Sequence, residues 1–227
     1  MTAKTTNLKT MAYNEIRQKI IHCEYAPGSF LNEELLTEEM KLSRTPVRDA
    51  LGRLEQEGLV KIMPKRGVIV TPLAVGDINM IFEVRRLYEP YILTKYGNLL
   101  PVEEMKKFYD VFAHTNADSE CFKDNDYFYE LDSAFHLMIV NTCPNVYIRQ
   151  NYDLILSQNT RFRYMTGNVS NNRLTDTFKE HLDIITACLR QDWDEAVEKL
   201  VYHLEESKKA TFRLMLQNAD SNMQIGL

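Results

Sequence analysis

No apolar run in this chain approaches the roughly 20 residues needed to cross a bilayer. The first nine residues are polar and lack the apolar centre of a secretory signal. No membrane partner is expected, and the chain is expected in the cytoplasm. Cysteine is sparse and scattered. Cys23, Cys121, Cys143 and Cys188 form no CxxC pair, so the thiols are expected to be reduced and partly buried. An overall basic charge is also missing. The net charge is −5 over 227 residues, which by itself argues against a general nucleic-acid binder. There is no internal repeat, and beyond Thr71 no alternating apolar and polar run is long enough for a sheet.

What is present is ordinary in amount and uneven in distribution. Hydrophobic residues make up 44% and charged residues 26%, as in a globular protein, and the length suits one large domain or two small ones. Residues 1–72 hold 11 lysines and arginines against 9 acids, a net of +2, whereas the remainder carries 16 against 23, a net of −7. A mildly basic head on an acidic body fits a DNA-binding module joined to a domain with another task.

The head is organised around residues 42–54 (LSRTPVRDALGRL). Ser43 suits a helix N-cap through its hydroxyl, and Pro46 lies near the start, where proline costs least. Val47, Ala50, Leu51 and Leu54 fall on one arc at helical periodicity, with Arg44, Thr45 and Arg48 beside it. One face can be buried while the other presents two forked, permanently charged donors suited to guanine edges and phosphate. A helix is expected over 8–22 and another over 32–41, with Asn32 as N-cap and Leu35, Leu36 and Met40 inward. Gly58 should close the basic helix in a left-handed cap. Residues 59–63 and 68–70 read as strands around Pro64-Lys65-Arg66-Gly67, a hairpin with a basic tip. Helix, turn, helix and hairpin together make a winged helix-turn-helix over residues 1–72.

The run from Pro27-Gly28 through Ser43-Arg44-Thr45-Pro46-Val47-Arg48-Asp49-Ala50-Leu51, then Arg53-Leu54-Glu55, Glu57-Gly58-Leu59-Val60 and Arg66-Gly67, resembles the N-terminal domain of GntR-family transcriptional regulators. The resemblance implies that Arg44, Thr45, Arg48 and Gly67 approach double-stranded operator DNA. It places Arg53 nearer phosphate, and Lys65 and Arg66 belong to the basic wing. One position departs. Where many members carry arginine early in the second helix, this chain has Glu34, which could accept from a cytosine amine or face water.

Past a linker at Thr71-Pro72-Leu73, residues 73–227 read as an all-helical bundle of about six helices, over 75–97, 101–114, 124–142, 145–165, 172–190 and 192–217, punctuated by Gly97, Pro101, Pro144 and Gly167. Asp132 and His136 lie four apart on one helix face, and His181 and His203 lie on later helices. Three imidazoles and a carboxylate suit a divalent transition metal. Zinc is the default, and nickel, manganese or iron could replace it. Taken singly, each histidine reads more simply as a satisfied core residue. The words Phe82-Glu83-Val84-Arg85…Glu89, Asp132-Ser133-Ala134-Phe135-His136, Asn145, and Glu180-His181 with a histidine 22 residues on resemble the FCD ligand-binding domain of the FadR-like branch of the same family.

That resemblance implies a homodimer, the metal set Asp132, His136, His181 and His203, and a small carboxylate effector on the metal's open positions. Arg85 matches the family's arginine on the first bundle helix. Arg161 and Arg163, on the helix entering from the matching Asn145, are further effector-binding candidates, with Asn145 itself. An arginine fork binds carboxylate bidentately, although Arg161 or Arg163 could instead pair only with surface acids. Arg85 could instead pair with Glu89. The aromatics Phe122, Tyr127, Phe128, Tyr129 and Phe135 could line a pocket but read as core. No dedicated general base can be assigned and the helical domain is fused to a DNA reader, so the chain is expected not to be an enzyme. A metal-dependent hydrolase with a DNA-binding appendage, and a regulator with a purely structural metal, are the competing assignments.

Overall fold

The computed structural model describes residues 2–115, 119, 124–166 and 170–224. Cys121, Phe122 and Gly167 therefore lie outside the described residues. The chain divides into two compact units, Met1–Ala74 and Val75–Leu227.

The first unit contains α1 (Thr2–Ile21), β1 (Phe30–Leu31), α2 (Glu33–Met40), α3 (Arg44–Gln56), β2 (Val60–Met63) and β3 (Gly67–Val70). The apolar arc of α3 is buried as its periodicity demands. Val47, Ala50, Leu51 and Leu54 pack with Ile16, Ile20, Leu36, Leu59 and Val70 in one core. Leu35, expected inward, is 62% exposed. An eight-residue helix offers only a narrow stripe, and Leu36 and Met40 occupy it.

Asn32 caps α2, its Oδ1 accepting from the Glu34 amide at 2.8 Å. Ser43 occupies the N-cap of α3 in extended conformation, but its hydroxyl makes no capping hydrogen bond. The tight turn from α2, with Lys41 left-handed at φ 54°, sets the entry to α3 instead. At the other end Gly58 (φ 72°) donates to Glu55 O at 2.9 Å and Leu59 donates to Leu54 O at 3.0 Å, the bonding of a Schellman motif. Both Leu54 and Leu59 are buried, supplying its apolar contact.

β2 and β3 pair antiparallel, Val60 opposite Val70 and Met63 opposite Gly67. Their turn has Pro64 second and Lys65 at φ 64°, closed by Arg66 N donating to Met63 O at 2.9 Å, the pattern of a type II turn. β1 adds a third strand outside β3, Phe30 opposite Ile69. Two residues carry no periodicity, so this strand has no sequence signal.

The second unit is built from α4 (Val75–Tyr96), α5 (Val102–Ala113), α6 (Asn125–Asn141), α7 (Val146–Thr166), α8 (Asn171–Leu189) and α9 (Trp193–Gln224), with a 3₁₀ turn at Gly97–Leu99. α4 packs against α9, α7 and α6, and α8 packs against α9 and α5. Asp124 and Ser170 cap α6 and α8 through their side chains. Among the described residues no helix is long and apolar enough to cross a membrane. The architecture is mostly helical, a winged helix-turn-helix followed by a helical bundle.

Candidate functional site

Four buried side chains of the second unit converge. Asp132 and His136 project from α6, one turn apart, His181 from α8 and His203 from α9. One ligand atom from each lies within 4.8 Å of all the others. His136 Nε2 is 3.2 Å from His203 Nε2, and His181 Nε2 is 3.3 Å from the same atom. Asp132 Oδ1 lies 3.5 Å from His181 Nε2 and Oδ2 lies 3.9 Å from His136 Nε2.

The outer nitrogens explain which way the rings present their lone pairs. His136 Nδ1 is 2.6 Å from Glu89 Oε2, and His203 Nδ1 is 2.7 Å from Glu180 Oε2. A carboxylate accepts only, so each Nδ1 carries the proton, and in the neutral form of each ring the Nε2 lone pair faces inward. His181 is fixed differently, by the rings of Phe135 (centroids 4.4 Å) and Phe112 (4.9 Å). Burial holds the pKa of both His181 and His203 well below the usual imidazole value, and the neighbouring imidazoles add to it. With all three Nε2 lone pairs facing inward at this separation, the imidazoles would repel one another unless a cation lay between them. Donors each about 2.1 Å from a common ion, at tetrahedral to octahedral angles, sit roughly 2.9–3.4 Å apart. The 3.2 and 3.3 Å separations match that spacing. Neither oxygen of Asp132 accepts a well-formed hydrogen bond among the described residues. The residues present thus fit a divalent transition ion.

Each carboxylate around the centre has its own guanidinium. Arg163 Nη2 lies 2.5 Å from Asp132 Oδ2. Arg85 Nε donates to Glu89 Oε1 at 2.7 Å, where the Tyr152 hydroxyl also donates at 2.7 Å. Arg173 grips both oxygens of Glu180 at 2.5 and 2.9 Å and reaches Ser207 Oγ at 3.2 Å. Burial alone would raise the pKa of Asp132 and Glu89. Arg163 and the histidines hold Asp132, and Arg85 with His136 holds Glu89, far below the usual carboxylate range. Beside the centre a cavity of about 40 Å³ is lined by Asp132, Arg163, Arg173, Thr166, Thr177 and Ser207, with Phe82 and Phe128 among its apolar wall.

The four expected effector residues fare unequally. Arg163 meets Asp132 and the cavity. Arg85 is fully buried with Glu89 and leaves Nη1 and Nη2 without a hydrogen-bond partner among the described residues. Arg161 does not join them. Residues two apart on a helix point about 200° apart, and Arg161 Nη1 donates to Gln158 Oε1 at 2.8 Å on its own helix. Asn145 is exposed at the start of α7, where its Oδ1 accepts from the Tyr147 amide at 3.0 Å, an N-cap hydrogen bond. Tyr127 is exposed rather than core. Glu89, Glu180, Arg173 and Tyr152 also belong to the site; only Arg173 and Glu180, seven apart on one helix face, carry a spacing signal.

On the first unit Arg44, Thr45 and Arg48 are exposed on one side of α3, and Lys65, Arg66 and Gly67 are exposed at the hairpin turn. Glu34 does not simply face water. Its Oε1 takes a hydrogen bond from Arg44 Nη2 at 2.6 Å, and Glu33 Oε1 takes one from Arg48 Nε at 2.5 Å. Arg53 stacks over the Tyr13 ring at 3.6 Å and lies 3.3 Å from Glu57 while staying more than half exposed.

Comparison with known proteins agrees with both halves. Residues 8–70 match the family of bacterial regulatory proteins called gntR, and residues 80–206 match the FCD domain. The HTH-type transcriptional repressor RspR of Escherichia coli K12 is 25% identical over 95% of this chain and 94% of its own. Among solved structures, E. coli McbR/YncC superimposes with a TM-score of 0.77 at 15% identity, covering 91% of this chain and 97% of that one. A metal-free FCD domain of the regulator TM0439 gives a TM-score of 0.53 at 21% identity, over 64% of this chain and 98% of that one. The relatives are transcriptional regulators rather than enzymes, and with both its winged helix and its helical unit matched, this chain belongs to the GntR family of bacterial transcriptional regulators, with an FCD ligand-binding domain.

Proposed function

We propose that this regulator senses a small carboxylate effector at a divalent metal held by Asp132, His136, His181 and His203, and that a cytoplasmic homodimer reads double-stranded operator DNA through α3 and the wing. The observation that carries the metal assignment is the convergence of three Nε2 atoms, two of them with Nδ1 tied to a carboxylate. Carboxylate partners on the far nitrogen fix the tautomer and raise the basicity of a ligating histidine. Zinc remains the default ion for three imidazoles and a carboxylate.

The charge arrangement supports an anionic effector. Asp132, Glu89 and Glu180 each already face an arginine, so the protein shell adds little net charge. A bound divalent ion would supply an uncompensated Lewis-acid charge for an anion. Arg163 and Arg173 line the adjoining cavity with threonine and serine hydroxyls, donors suited to carboxylate oxygens. The small volume favours an effector of few carbons. For dimerisation, Met80, Leu87 and Tyr91 form an exposed apolar stripe on α4. A two-fold protein reads two half-sites.

The test is metal analysis of protein purified without chelator or metal-leaching tag, alongside His203→Ala. About one equivalent of metal per chain, sharply reduced in the variant, is expected. Stripping the metal with a chelator should leave the helical circular dichroism intact and abolish calorimetric binding of small di- and hydroxycarboxylates. Unfolding on stripping would make the metal structural, and wild-type protein without bound or bindable metal would refute the centre.

A further inference from the structure

The two arginines that α3 offers to DNA are not free. Arg44 and Arg48 are 63% and 65% exposed along their side chains, yet each is engaged by a glutamate of α2 across the helix-turn-helix turn. Glu34 meets Arg44 at 2.6 Å and Glu33 meets Arg48 at 2.5 Å. The Asn32 cap fixes the first turn of α2, from which both acids project. We propose that Glu33 and Glu34 are specificity-determining residues, intramolecular counter-charges that keep the recognition arginines off DNA unless the base sequence satisfies both members of each pair.

The physical argument compares what two kinds of DNA surface offer. A phosphate satisfies the arginine and repels the carboxylate it displaces, so the exchange gains little. A guanine edge gives the arginine two neutral acceptors, O6 and N7, and a neighbouring cytosine N4 amine gives the released carboxylate a donor. Only the second surface re-pairs both partners. Backbone attraction supplies most non-specific affinity, so the glutamates act chiefly against unrelated DNA. Guanine and cytosine are expected at the positions facing Arg44 and Glu34.

This inference rests on α3 being the DNA-reading helix, and the experiment separates the two. A high-affinity duplex is first selected from a random library with the wild-type protein. Its affinity and that of an unrelated duplex are then measured by fluorescence anisotropy across a salt series. For Glu33→Gln/Glu34→Gln, the unrelated duplex should bind roughly two- to fivefold tighter per glutamate, the scale of an exposed ion pair. The salt dependence should steepen by up to about one unit of slope per released arginine, and the selected duplex should gain less, so discrimination falls. Glu38→Gln removes a charge from an exposed position of the same helix and should change little. Glu34→Asp keeps the charge and shortens the reach; it should lose part of the discrimination and serves equally if the double variant folds poorly. Unrelated-duplex affinity that is unchanged, that rises as much in Glu38→Gln, or that rises in step with the selected duplex would overturn the proposal. Arg44→Ala/Arg48→Ala tests the underlying assignment by itself. If that variant binds the selected duplex as wild type does, α3 is not the reader.

Discussion

Neutralising Glu89 should be among the most damaging single changes in the helical unit. Glu89 is fully buried and takes contacts from three donors, Arg85 Nε at 2.7 Å, the Tyr152 hydroxyl at 2.7 Å and His136 Nδ1 at 2.6 Å. Glu89→Gln preserves the shape and one carbonyl oxygen. It turns an amide donor toward groups that are themselves donors, and it strands the Arg85 guanidinium, which is 0% exposed and whose Nη atoms have no other hydrogen-bond partner among the described residues. Removing one partner of a buried ion pair costs about 3–5 kcal/mol, against a total stability of roughly 5–15 kcal/mol for a domain. The loss can be read by urea unfolding. Trp193 is the chain's only tryptophan and opens α9, so its fluorescence reports on the helical unit alone, which matters when two units need not unfold together. With a slope of about 2 kcal/mol per molar urea, the midpoint should fall by roughly 1.5–2.5 M. Arg85→Met/Glu89→Gln removes the stranded cation and should recover at least half of that loss. A single-variant cost below about 1 kcal/mol, or a double variant no more stable than the single one, would refute the reasoning.

Two further outcomes follow from packing and ionisation. In Gly97→Ala the new Cβ would stand 2.5 Å from Trp193 Cε3 and 2.7 Å from Cζ3; the ring must move, costing about 1–3 kcal/mol, and thermal melting should show the loss largely vanish in a Trp193→Ala background. Burial pushes the Cys188 thiol up to about 12, so at pH 8 only about one molecule in ten thousand carries the reactive thiolate. Among the described cysteines the partly exposed Cys23 should react first with a thiol reagent, and Cys188 should react only as the protein unfolds or as the pH rises toward 12; modification of Cys188 at the rate of Cys23 at pH 8 would contradict this.

The helices were legible wherever periodicity and punctuation agreed. The expected bounds of the bundle helices fall within a residue or two of the observed ones for all but α9, which runs on to Gln224. Gly58 reads directly as a helix stop because its left-handed conformation is a local property. Ser43 shows the limit of the same logic. Its residue type suits a cap and its position is the cap, yet the turn geometry leaves its hydroxyl without the expected bond. Asn145 is the converse, a position matched to a ligand-binding word whose side chain caps its own helix.

The site divides along the same line. One helical turn suffices to put Asp132 and His136 on one face, and helix geometry alone separates Arg161 from Arg163, which point about 200° apart. Nothing in spacing tells that α8 and α9 bring His181 and His203 to that same point, and only family resemblance connected them. Still less legible are the partners that decide what the donors can do. Whether a buried histidine offers a lone pair or a proton depends on Glu89 and Glu180, residues 47 and 23 positions away in sequence from the rings they touch. Likewise, two arginines on the exposed side of α3 look available until Glu33 and Glu34 fold across to meet them. Residue type fixes which chemistry a side chain can perform, whereas availability is set by long-range contacts. It is therefore at the pairing of charges, and not at the identity of the charged residues, that this sequence had to be folded before it could be read.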